Sequence, residues 1–119
     1  MKAKMIDSLI QFTLTDSVHI LIIEADDASR ELLQVGLSRT PNYQVITART
    51  GIEGLQIFAQ QQVDLVLLEA DLPTMHGHEV CQVLRKSTWV PIIMFASHTN
   101  ELIAGLEAGA DNYLKKPFG

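Results

Sequence analysis

Two acidic clusters close two apolar runs in this chain. Ile20-Leu21-Ile22-Ile23 ends on Glu24-Ala25-Asp26-Asp27, and Leu65-Val66-Leu67-Leu68 ends on Glu69-Ala70-Asp71, with Pro73 soon after. Carboxylates at the carboxyl end of a parallel strand stand where an open sheet gathers ligands and reacting groups, although Glu69 alone could equally mark a solvated strand end. Near the other terminus Lys115 and Lys116 precede Pro117. His76 and His78 flank Gly77 and suggest a metal, but neighbouring loop histidines without a third ligand are usually solvated. His19 and His98 look ordinary, and Cys81 sits in an apolar helical pattern as a buried thiol. No Gly-rich phosphate loop is present, which argues against a nucleotide or flavin site.

The elements that must position these groups follow from hydrophobic periodicity. The central run from Asp64 to Leu68 has no solvent face, so it reads as a strand covered on both sides, and Pro73 prevents its continuation. Val18 to Ile23 is a second such strand. Asp26 or Asp27 then caps a helix carrying Leu32, Leu33, Val35 and Leu37. Tyr43 to Thr47 forms a weaker strand, followed by a helix with Ile52, Leu55, Ile57 and Phe58 inward. Gly77 supplies backbone freedom before a helix with Val80, Cys81, Val83 and Leu84. Ile92 to Phe95 is a fourth buried strand, Thr99 or Asn100 caps a helix through Leu102, Ile103 and Leu106, and Gly109 ends it in the left-handed conformation. A last short strand covers Asn112 to Leu114. Strands and helices alternate with short connections, the pattern of a parallel sheet with helices on both faces.

Ahead of these, Met5, Ile6, Leu9 and Ile10 fall at helical spacing, so residues 1–17 read as an amphipathic helical extension to a domain of residues 18–119. Alternation in Gln11-Phe12-Thr13-Leu14-Thr15 offers a competing strand. With no helix after the fifth strand, one sheet face would lack a cover, which the extension could fill unless it packs on a partner chain.

At 119 residues the chain has room for one core, and with 47% hydrophobic and 19% charged residues it is globular rather than disordered. A net charge of −5 with scattered basic residues argues against a broad nucleic-acid surface. No apolar segment approaches a membrane span and no secretory pattern opens the chain, so a soluble cytoplasmic protein is expected.

Taken together, Ile20 to Asp26, Asp64 to Gly77, Pro91 to Met94 and Gly105 to Phe118 resemble the receiver domain of two-component response regulators (CheY-like), over Val18 to Gly119. The resemblance implies a flavodoxin-like, doubly wound five-stranded parallel sheet in the order 2-1-3-4-5. It also implies phosphoryl transfer to an aspartate ending the third strand, an acidic pair holding Mg²⁺, a hydroxyl after the fourth strand, a lysine on the phosphoryl oxygens and an aromatic that changes rotamer with the hydroxyl.

On this chain the phosphoacceptor position falls on Glu69, the acidic pair on Glu24 and Ala25, the hydroxyl on Ala96 with Ser97 one step on, the lysine on Lys116 and the aromatic on Tyr113. Alanine offers no oxygen, so Mg²⁺ would depend on a bulge turning Asp26 inward. Glutamate reaches one bond further than aspartate, so it approaches Lys116 but displaces the nucleophile from in-line geometry. The expectation is a phosphorylation-independent pseudo-receiver without catalytic residues, metal or cofactor. It would act through a protein partner, such as a histidine kinase, an output domain or another signalling protein, with a homodimer as an option and no direct nucleic-acid or membrane contact. The alternatives are a phosphoacceptor that uses Mg²⁺ and a shifted Asp26, and a flavodoxin-like small-molecule binder. The chain reads either as a fragment cut before a fifth helix and an output domain, or as a complete protein whose first helix substitutes.

Overall fold

The computed structural model describes residues 17–117. The expected helical extension therefore lies outside the described residues. Five strands alternate with four helices: β1 (Val18–Ile23), α1 (Asp27–Ser38), β2 (Tyr43–Ala48), α2 (Gly51–Gln60), β3 (Leu65–Glu69), α3 (Gly77–Arg85), β4 (Ile92–Ala96), α4 (Thr99–Ala108) and β5 (Asn112–Lys115). All neighbours pair in parallel, in the order β2-β1-β3-β4-β5. This is the parallel sheet the alternation predicts, in the flavodoxin-like order the resemblance implies. No helix follows β5 among the described residues.

Continuous apolar runs become central strands because both faces of the sheet need cover. Leu21, Ile23, Val66, Leu68 and Met94 face one way, into a core closed by Leu55 of α2, Val80, Cys81 and Leu84 of α3 and Leu102 of α4. Ile20, Ile22, Leu67 and Phe95 face the other way, toward Leu33 and Leu37 of α1. Each buried aliphatic side chain contributes about 1.5–3 kcal/mol. Cys81 is buried, as its setting predicts. None of the described helices is long and apolar enough to cross a membrane.

Several local expectations are corrected. Ile52, expected inward, is 55% exposed, because it opens the first turn of α2 while Gly51 and Gly54 take the buried positions. The cap of α4 is His98, with Thr99 already helical, so neither Thr99 nor Asn100 has that place. Gly109 does end α4 with φ 113°. Gly77 is needed for proximity rather than conformational freedom: a Cβ there would lie 2.4 Å from the Glu69 carbonyl oxygen and 2.8 Å from Ala70 Cα. Positive φ in this loop belongs to Thr74, at 66°, an uncommon value for a β-branched residue.

An arginine clamp sets the far end of the sheet. Arg85 donates from Nε to the Gly109 carbonyl at 2.9 Å and from Nη1 to the Val90 carbonyl at 2.8 Å, and pairs through Nη2 with Asp111 at 2.8 Å. Asp111 in turn accepts from the Ile92 amide at 2.8 Å. These bonds tie the end of α3 to the starts of β4 and β5.

Candidate functional site

Glu24 follows β1, Glu69 ends β3 and Lys116 follows β5, so three strand ends converge where the sheet order reverses. The backbone that carries Glu24 is held at both ends. Its amide donates to the Ala48 carbonyl at 3.0 Å, and its carbonyl accepts from Arg30 Nη1 at 3.0 Å. Arg30 also pairs with Asp27, one turn back along α1. Sequence reasoning missed Arg30; its only signal was the spacing to Asp27. On the opposite side, the Lys116 amide donates to the Ala96 carbonyl at 2.8 Å, fixing the lysine beside β4.

The Lys116 ammonium lies 2.6 Å from Glu24 Oε1 and 2.6 Å from Glu69 Oε2. Both carboxylates are nearly inaccessible, Glu24 at 1% and Glu69 at 4% exposure. Lys116 makes a directed hydrogen bond to Glu24, whereas its approach to Glu69 Oε2 is close but off the bonding direction, so charge holds that oxygen. The second Glu69 oxygen accepts from the Asp71 amide at 3.1 Å. The ammonium also stands 5.2 Å from the centre of the Phe95 ring, within cation–π range.

One ammonium between two buried carboxylates leaves an excess of negative charge. Burial pushes the Glu69 carboxyl above its ordinary range, against the opposing pull of Lys116 and the Asp71 amide. Burial would pull Lys116 down, but pairing with Glu24 and Glu69 outweighs it and the ammonium is held above its ordinary range. A raised carboxyl means that the folded protein keeps its proton to higher pH than the unfolded chain does. Stability attributable to Glu69 therefore falls as pH rises from its ordinary value of 4.5 through its folded value. The Glu69→Gln variant is expected to lose this fall and to gain on the wild type between pH 4.5 and neutrality. Urea denaturation at a series of pH values checks this, and two parallel stability curves would contradict it.

The remaining candidates take separate places. Asp26 is the N-cap of α1, its carboxylate accepting from the Ser29 amide at 2.8 Å, and that bond holds its pKa low. It lines a cavity of about 280 Å³ together with Ala25, Glu69, Asp71, Glu101 and Lys116. Ala96 is fully buried, while Ser97 is exposed at the cavity wall. Tyr113 pairs in register with Met94, one residue out of step with Phe95, and is half-exposed. Glu101, which the sequence did not single out, has a buried Oε2 without a hydrogen-bond partner among the described residues. His76 and His78 stack with ring centres 5.7 Å apart. No group of three or more His, Cys, Asp or Glu among the described residues is arranged to hold a metal ion.

The family model for the response regulator receiver domain matches residues 20–119. This chain belongs to that family. It is 39% identical to the transcriptional regulatory protein AfsQ1 of Streptomyces coelicolor over 100 residues, which is 82% of this chain and 44% of that protein. Identity to the transcriptional regulatory protein CseB of the same organism is 36% over 107 residues, 88% of this chain and 45% of CseB. The receiver chain thus spans less than half the length of these curated relatives. Among solved structures, the Vibrio cholerae chemotaxis protein CheY4 superposes with a TM-score of 0.80 at 25% identity, covering 87% of this chain and 89% of that one.

Receiver domains use Mg²⁺, and the donor set here does not fit that ion. A hard divalent cation needs several oxygens free to turn toward it. Ala25 supplies no side-chain oxygen, the Asp26 carboxylate is engaged as a helix cap, and the Lys116 ammonium lies against Glu24 and Glu69.

Proposed function

We propose that this receiver domain signals without being phosphorylated, as a module held in one state by its own charges. The observation that carries this reading is the Lys116 ammonium 2.6 Å from both Glu24 and Glu69. In that arrangement a fixed carboxylate takes the place a phosphoryl group would need beside the lysine. Glutamate at the acceptor position also favours the reading, since an extra methylene moves the nucleophile, and misplacement by about 1 Å can cost on the order of a hundredfold.

Such a module acts by presenting a surface to a protein, and the candidates are a histidine kinase, an output domain or another cytoplasmic signalling protein. The transcriptional regulators it resembles support an output in gene regulation, with DNA contacted by a separate domain rather than by this acidic one.

Incubation with acetyl phosphate and Mg²⁺, followed by intact-mass measurement, tests the proposal. The expected result is no phosphoryl adduct on the wild type, and appearance of one on a variant carrying both Glu69→Asp and Ala25→Asp. A hydroxylamine-sensitive phosphoryl adduct on the wild-type chain would overturn the proposal and favour the alternative, in which Asp26 leaves its cap to serve a metal.

A further inference from the structure

We infer that a groove across the carboxyl end of the sheet, between the β3–α3 loop and the first turn of α4, receives an arginine side chain from a protein partner. Asp71 in that loop and Glu101 in the first turn of α4 hold its guanidinium. Two cavities adjoin at these residues. The cavity of about 280 Å³ beside Lys116 and a second of about 240 Å³ beside His76 and His78 both have Asp71 and Glu101 in their walls. The charges there do not balance. Lys116 is engaged by Glu24 and Glu69, and the Asp71 and Glu101 carboxylates have neither an ion pair nor a hydrogen bond among the described residues. Glu101 turns its Oε2 away from solvent in that condition, and Glu69, 4% exposed, leaves its own Oε2 without a directed hydrogen bond. Buried carboxylate oxygens without donors are costly, so a cationic donor brought from outside is favoured.

The lining decides which cation fits. No three His, Cys, Asp or Glu groups among the described residues are arranged for a metal ion, so the groove suits an organic cation. A guanidinium presents its N–H donors in one plane and bonds two carboxylates at once, whereas an ammonium acts as a point charge. Ala70 and Ala104 give the second cavity apolar walls for a methylene stem. The rings of His76 and His78, stacked with their planes 10° apart, add flat faces against which a guanidinium stacks. An arginine site of this kind gives the chemistry of the protein partner in the proposed function and rests on that reading. Its readout is binding rather than phosphorylation, so either can fail without the other.

The test titrates the isotope-labelled full chain with N-acetylarginine amide and follows the side-chain carboxyl carbons by nuclear magnetic resonance. Saturable shifts at Asp71 and Glu101 are expected, with none from N-acetylcitrulline amide, which has the same shape without the charge. Glu101→Gln and Asp71→Asn are each expected to weaken binding about tenfold, with the amide spectrum confirming that both variants are folded. Glu107→Gln, which removes an exposed acid of the same helix, is expected to leave binding unchanged. Absent saturation, equal shifts with the citrulline compound, full affinity in Glu101→Gln and Asp71→Asn, equal loss in Glu107→Gln, or displacement by an equal concentration of magnesium chloride would each overturn the proposal.

Discussion

Replacing Lys116 with methionine is expected to destabilise the domain by about 3–5 kcal/mol at neutral pH, measured by urea denaturation. The side chains are similar in volume, so the loss isolates the charge. Glu24 and Glu69 would be left facing each other, both nearly inaccessible, without the ammonium that stands 2.6 Å from each. A surface pair would cost less than about 1 kcal/mol, and a loss that small would show that water reaches the cluster. Two further measurements separate charge from packing. Adding Glu69→Gln to the methionine variant should recover a substantial part of the loss, since one of the two uncompensated charges disappears. Lowering the pH should also narrow the gap to the wild type, because the raised Glu69 carboxyl takes up its proton early.

The second large effect is expected from Gly77→Ala, a loss of about 1–3 kcal/mol or more. The added methyl would meet the Glu69 carbonyl oxygen and Ala70 Cα, which are backbone atoms and cannot rotate away. The strand end that carries Glu69 would shift, so the Lys116 contact should weaken together with stability. Gly105→Ala is the informative comparison, because there the new atom would meet the Met94 thioether, which has rotamers to use. Equal losses in the two variants would mean that the loop before α3 yields as easily as a methionine.

The sheet was legible because runs such as Leu65-Val66-Leu67-Leu68 have no polar face and are punctuated by acids and Pro73. Glu24 and Glu69 were legible for a related reason: each closes such a run, and parallel strands bring their carboxyl ends together, whereas Lys116 follows the short, exposed β5 and was legible only through the family resemblance. Other features depend on reach or proximity, which spacing does not encode. Asp26 and Asp27 fit the cap equally well in the sequence, and geometry gave the cap to Asp26 and the Arg30 pair to Asp27. Arg30 and Arg85 act largely on carbonyl oxygens, which leave no mark in residue type. Ile52 was expected inward yet points outward, since Gly51 and Gly54, which carry no apolar side chain to read, take the buried positions of the first turn. The demand for glycine at position 77 comes from a neighbouring strand end rather than from its own backbone angles.

Lys116 and Glu24 are separated by 92 positions along the chain. A bond that joins points so distant closes nearly the longest loop available, and its entropic cost is met only once the intervening strands are in place. The knot of charge should therefore be absent from the folding nucleus and act as a late latch. Its removal would leave the rate of folding almost untouched and speed unfolding, so the lifetime of the native state, more than the ease of reaching it, rests on the bond from Lys116.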